Sequence, residues 1–195
     1  MQSAVRQPMS RREFFDWAET QDERYEFDGF RPVAMTGGDL GHSRLIRNIN
    51  RQLGNRLAGK GCESLGPDAG VATIGETVRY PDAVVTCARF SDRDRLVPDP
   101  VIVFEVVSAS SARMDRVVKP REYQAVSTIR RYIIVEPEAV AVTVYSREHA
   151  GEAFRTERLA GNAILPLPEI DIEIPLAALY EGLALGQENG TDLGG

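Results

Sequence analysis

From Gly37 to Gly61 the chain reads GGDLGHSRLIRNINRQLGNRLAGKG, and Leu45, Ile46, Ile49, Leu53 and Leu57 return at three- or four-residue spacing. That period predicts a long amphipathic helix, N-capped by Asp39 and ending near Gly59 or Gly61. A shorter amphipathic helix is predicted in SRREFFDWAETQDERYEF, with Ser10 as its cap and Phe14, Phe15 and Trp17 as its apolar residues. RYEFDGFRPVAM then reads as a hairpin turning at Asp28-Gly29. Strands follow in GVATIGETVRYPDAVVTC and PVIVFEVVSAS, separated by the charged loop SDRDRLVPDP. RRYIIVEP and AVAVTVYSRE form a further strand pair, and IDIEIPLAALYEGL is a strand running into a short helix. SSARMDRVVKPREYQAVSTI reads as a helix with serine caps at its start. Pro120 either falls in the first turn of that helix or kinks it.

This order gives an α/β fold with a mixed β-sheet core flanked by helices. No repeat or long linker divides it, so residues 10–182 are expected to form a single domain, with flexible tails at 1–9 and 183–195. Alternation places Val101, Val103, Glu105 and Val107 on one face of their strand and Ile102, Phe104 and Val106 on the other. Both faces are apolar, as in a central strand covered on both sides.

Composition narrows the classes. At 43% hydrophobic and 27% charged, the 195 residues can bury a core, and no apolar run approaches the length of a membrane span. MQSAVRQPMSRREFF lacks the apolar segment of a secretory signal, so a cytoplasmic location is expected. Cys62 and Cys87 lack metal-knuckle spacing and are expected to pack as small hydrophobes. A net charge of -6 speaks against strong non-specific nucleic-acid binding, although a metal-dependent nuclease needs carboxylates in any case.

Glu105 is the residue that needs explaining. A bare carboxylate in a dry interior costs several kcal/mol unless it is paired or neutralised. Asp82 begins the preceding strand, and hairpin-like pairing of the two strands would bring both carboxylates together near the C-terminal end of the second. Such an oxygen pair suits a hard divalent cation such as magnesium.

Asp82 after Pro81, followed by Glu105 within an apolar strand, resembles the PD-(D/E)xK nuclease core. The lysine usually two residues beyond the glutamate is Val107 here. The ordered set RYEFDG, AMTGGDLGHSRLIRNI, RYPDAVVTC, FEVVSASS, DRVVKPREYQAV, RRYIIVEP and VTVY nevertheless resembles the Uma-two family of restriction-type endonucleases over roughly residues 10 to 182. In that family the lysine has moved to the following helix in a D-x3-K-x3-Y arrangement, matched by Asp115, Lys119 and Tyr123. The resemblance implies a restriction-endonuclease-like fold. It implies Asp82 and Glu105 as ligands of magnesium or manganese, Lys119 beside the attacking water, and Glu26 as an additional acidic residue. DNA would be the substrate.

Plainer readings stand beside these. Glu105 could form a core salt bridge with Lys119, Asp82 could cap a turn, and Asp115 with Lys119 has the spacing of a routine surface pair on a helix. Glu26 could be an ordinary charged strand residue. His42 is either a helix-surface residue or a contact in the site, and Tyr123 either a core aromatic or a residue touching the site. Gly37-Gly38 could cradle phosphate, but no Walker lysine follows and a turn leading into the helix accounts for the pair. The functional alternatives to a magnesium-dependent endonuclease are a catalytically silent module binding nucleic acid or protein, and a structural dimer. A homodimer is expected for the enzyme, since two sites suit the two strands of a duplex. The apolar C-terminal strands and IPLAALYEGL would offer its surface.

Overall fold

Helix α1 (Arg11–Ala18) starts at a complete capping box. The Ser10 hydroxyl accepts the Glu13 N–H, and the Glu13 carboxylate accepts the Ser10 N–H at 2.8 Å. Its buried Phe14 stacks on Phe27, 5.0 Å between ring centres. Strands β1 (Tyr25–Phe27) and β2 (Pro32–Ala34) form the expected hairpin. The Asp28 carboxylate accepts the N–H groups of Phe30 and Arg31, and Gly29 takes the positive φ that the turn requires. Helix α2 (Leu40–Leu57) is capped by Asp39, which accepts the His42 N–H at 2.8 Å. The computed structural model describes residues 9–108 and 111–185. The tails expected at 1–9 and 183–195 fall outside that range except at residues 9 and 183–185, as does Ser110 among the expected serine caps.

The remaining strands are β3 (Glu63–Leu65), β4 (Val71–Ala72), β5 (Val78–Arg79), β6 (Ala83–Thr86) and β7 (Pro100–Val106). A π-helical turn (Met114–Val118) leads into α3 (Lys119–Ala125). Then come β8 (Arg131–Val135), β9 (Ala141–Ser146), β10 (Arg155–Ala160), β11 (Ile164–Leu167), β12 (Ile172–Pro175) and the one-turn helix α4 (Leu176–Leu179). The main sheet has the order β10-β9-β8-β7-β6-β3, and β7 with β8 is its parallel pair, so the sheet is mixed. A second sheet runs β2-β1-β5-β4, and β11 pairs with β12.

From Ile102 to Val107 the two faces of β7 behave as its alternation requires. Val101, expected on the Val103 face, instead packs with the Ile102 side, where the register with β6 shifts. Ile102, Phe104 and Val106 pack with Leu45, Ile49, Leu53 and Leu57 of α2 and with the β11, β12 and α4 side chains. Val103 and Val107 pack on the opposite face with Tyr123 of α3, Tyr132 and Ile134. Asn48 ties α2 to the C-terminal segment, donating from its buried amide to the carbonyls of Leu179 and Glu181. Burying this many apolar side chains, at roughly 1.5–3 kcal/mol each, is what holds the helices to the sheet.

Three readings of the sequence need correction or completion. The stretch from Gly70 to Cys87 breaks into β4, β5 and β6, distributed over two sheets. Strands β3, β10 and β11 are additions; β10 has five of its six residues exposed, so it carries no apolar alternation to read. Cys62 and Cys87 are not separate packed thiols but a disulfide. The antiparallel register Glu63↔Thr86 of β3 with β6 brings the residues one step beyond, Cys62 and Cys87, opposite each other.

Candidate active site

The antiparallel register Ala83↔Phe104 of β6 with β7 places Asp82, one step before β6, beside Glu105. Asp82 Oδ2 accepts the Val106 N–H at 2.6 Å, which pins that carboxylate against the end of β7. From α2, His42 reaches the same point: its Nε2 lies 3.0 Å from the Val106 carbonyl oxygen and 3.7 Å from Asp82 Oδ2. Gly38 makes room for that imidazole, since a Cβ there would stand 2.4 Å from His42 Cγ. Of the glycine pair, Gly38 thus serves the histidine that follows it, while a Cβ at Gly37 would meet no atom within 4 Å.

The helix after β7 supplies the cation. Ser108 Oγ accepts the Ser111 N–H at 3.1 Å, and the chain enters the π turn, where the Lys119 N–H bonds the Met114 carbonyl five residues back. In that register the Asp115 carbonyl would be met by the N–H of residue 120, which is proline and has none. The Tyr132 hydroxyl donates to it instead at 2.9 Å. π turns are rare and often mark functional sites. This one presents Asp115 and Lys119 to the interior, each 5% exposed or less. Lys119 Nζ lies 2.7 Å from Glu105 Oε1, 3.1 Å from Asp115 Oδ1 and 3.5 Å from Glu26 Oε1. The Tyr123 hydroxyl donates to the same Glu105 Oε1 at 3.1 Å.

Glu26 comes from β1 and is held by a second cation. Arg79, 2% exposed, donates to both Glu122 oxygens at 2.7 Å and to Glu26 Oε2 at 2.9 Å, while the Tyr80 N–H reaches Glu26 Oε1 at 3.3 Å. Glu26, His42, Asp82, Glu105 and Lys119 therefore line one cavity of about 280 Å³, and Tyr123 sits behind Glu105. Arg79 and Asp115 line it too.

Charge in this cleft is out of balance. Five carboxylates (Glu26, Asp82, Glu105, Asp115 and Glu122) surround the two cations Arg79 and Lys119. Burial raises the Glu105 carboxyl to about 8 despite the pull of Lys119, and Asp82, Asp115 and Glu26 push the same way. Burial likewise raises Asp82, opposed by the Val106 N–H, His42 and Lys119. For Lys119 burial works against the charge, but Glu105, Glu26 and Asp115 outweigh it and hold the ammonium above its ordinary range. Burial also works against Arg79, and Glu122 with Glu26 more than offsets it. Tyr123 is raised well above its usual value by burial and by Glu105, so its hydroxyl keeps the proton it donates.

Among the described residues, no three His, Cys, Asp or Glu side chains are arranged to enclose one metal ion. Magnesium does not ask for such a cage: it keeps several waters and takes one or two carboxylates together with substrate oxygens. The donors suit that use. Among the described residues Asp82 Oδ1 and Glu105 Oε2 have no hydrogen-bond partner, their sister oxygens holding all the bonds. Both Asp115 oxygens are buried without a hydrogen bond. Sequence reasoning missed Arg79 and Glu122 altogether, and it gave Asp115 as part of the D-x3-K-x3-Y match without a role in the site, beside the plainer reading of a surface pair. The available signal was the lysine itself: of 23 basic residues only Lys60 and Lys119 are lysines, so an arginine was the ordinary choice for a surface pair.

The sequence matches the model of a family described as "Uma2: Putative restriction endonuclease" over residues 11–177. Two uncharacterized proteins of Synechocystis sp. are similar. The first, slr1290, is 28% identical over 181 residues, covering 90% of this chain and 93% of the relative. The second, sll1609, is 24% identical over 155 residues, covering 77% and 88%. Among solved structures, a "putative nuclease belonging to DUF820" from Anabaena variabilis superposes with a TM-score of 0.67 at 13% identity, over 89% of this chain and 98% of that one. At that identity the likeness establishes the fold.

Proposed function

Because the chain belongs to the Uma2 family, we propose that it is a divalent-metal-dependent endonuclease that hydrolyses phosphodiester bonds in DNA. The observation that carries this reading is the excess of carboxylate in a buried cleft that also holds an ammonium, with one oxygen each of Asp82 and Glu105 uncommitted. A phosphodiester could not approach so negative a pocket unless a cation were present. Asp82 and Glu105 would hold magnesium or manganese, which supplies polarisation of a phosphoryl oxygen and a more acidic water.

The chain's own groups have distinct roles in this reading. Lys119 places positive charge where the pentavalent transition state gathers negative charge. Glu26, fixed by Arg79, helps keep the ammonium in the cleft, and Tyr123 orients the Glu105 carboxylate. His42, through the Val106 carbonyl, steadies the end of β7 next to Asp82. Cutting both strands with one cleft per chain calls for two copies, and a homodimer is part of the proposal. Of the segments β11, β12 and α4, Leu165, Leu167, Ile174, Leu176 and Leu179 are not available to its surface, because they are buried in the chain's own core.

The test is plasmid cleavage over a magnesium or manganese titration beside E105A and K119A. Cleavage that requires the metal and disappears in both variants is expected. DNA retention without cleavage at any metal concentration would instead identify a silent binding module. Light scattering should give twice 21.5 kDa; a mass near 21.5 kDa leaves a nicking or single-strand nuclease.

A further inference from the structure

Asp115 is the buried charge that the reading above leaves without a task. It is 1% exposed, and neither carboxylate oxygen accepts a hydrogen bond. Its one ionic neighbour within the described residues is Lys119, at 3.1 Å. A buried carboxylate in that condition is costly, and nothing in the packing needs it, since the backbone carbonyl of the same residue is what Tyr132 secures. The ammonium lies between two anions: it hydrogen-bonds Glu105 at 2.7 Å and faces Asp115 at 3.1 Å without a bond. Glu26 is a poor substitute for Asp115, because its oxygens already serve Arg79 and the Tyr80 N–H.

A divalent cation on the free Glu105 Oε2 would stand close beside the ammonium held by Oε1, and like charges so near each other repel strongly in a buried site. We propose that Asp115 is a positioning residue for Lys119, the second dock to which the ammonium passes when Glu105 turns to a divalent cation. The carboxylate already lies in ion-pair range of the ammonium but takes no hydrogen bond from it, and the transfer would turn that contact into a direct bond. Lysine suits this transfer better than arginine: a compact ammonium on a flexible stem can swing between two acceptors, whereas a guanidinium fork commits to one. The inference rests on the metal-dependent reading.

The test is a double-mutant cycle read by calorimetry with magnesium alone. With Lys119 present, D115N is expected to weaken magnesium binding at least tenfold, because the ammonium stays on Glu105 and competes. In the K119M background the same substitution should change the affinity less than threefold. Equal losses in both backgrounds would make Asp115 a plain ligand of the cation. No loss in either would make it structural, and either result overturns the proposal. If D115N does not fold, the wild-type protein still decides. In its magnesium-bound crystal structure Lys119 Nζ should lie closer to Asp115 than to Glu105, and an ammonium still on Glu105 refutes the transfer. A wild-type protein that binds no magnesium overturns the metal reading itself, and this inference with it.

Discussion

Replacing Glu105 by glutamine isolates the largest electrostatic anomaly in the molecule. In the folded protein burial holds this carboxyl at about 8, against an ordinary value of 4.5. Between those values the native state keeps a proton that the unfolded chain has released, so stability falls as pH rises. The slope from one such group is about 1.4 kcal/mol per pH unit, and over the whole interval the loss is on the order of 5 kcal/mol, complete above pH 8. Glutamine has the same shape and can still accept a bond from Lys119, but it cannot ionise. Lys119 also keeps Asp115 and Glu26 as counter-ions. Urea unfolding with a chelator present, from pH 5 to pH 9, gives the stability of both proteins. The advantage of E105Q over wild type should grow by several kcal/mol across that range and level off near pH 8. Asp82 titrates close by, so the difference between the two proteins is the informative quantity, not either curve alone. A flat difference would refute the reasoning. That flat difference is also what an ordinary ion pair would give, with Lys119 holding Glu105 ionised in both states throughout the range.

Three further outcomes follow from the same structure. Magnesium should raise the melting temperature more at pH 8.5 than at pH 6, because the Glu105 proton must leave first, and D82N should abolish the increment at both. R79A should cost about 3–5 kcal/mol in urea unfolding, since it strands two carboxylates in the interior, and R79K should recover only part because it cannot grip Glu122 with two parallel bonds. Reducing the Cys62–Cys87 bond, which closes a loop of 25 residues, should lower stability by about 3 kcal/mol; unchanged unfolding in dithiothreitol would contradict it.

Local periodicity by itself determined the elements that carry the site. The 3.6-residue spacing of Leu45 to Leu57 specifies α2 and its buried stripe, and the two-residue alternation around Glu105 assigns the β7 side chains from Ile102 onward to their faces. Asp82 was reachable as well, because antiparallel pairing of neighbouring strands leaves little choice of where it lands. The order of the family motifs, taken together, pointed to Lys119 and Glu26.

Only the tertiary structure decided how these charges are held. Arg79 joins residues 53 and 43 positions away, Glu26 and Glu122, and nothing in VRYPD announces those partners. Asp115 and Lys119 have surface-pair spacing, and what buries them is the docking of their helix on Tyr132 and Glu105. Cys62 and Cys87 meet because β3 joins the sheet edge next to β6, although β3, three residues long, is too short to be read as a strand. The physical reason is the same in each case. Backbone geometry repeats over a few residues and leaves its period in the sequence, whereas a contact across the fold depends on which surfaces meet when the chain closes.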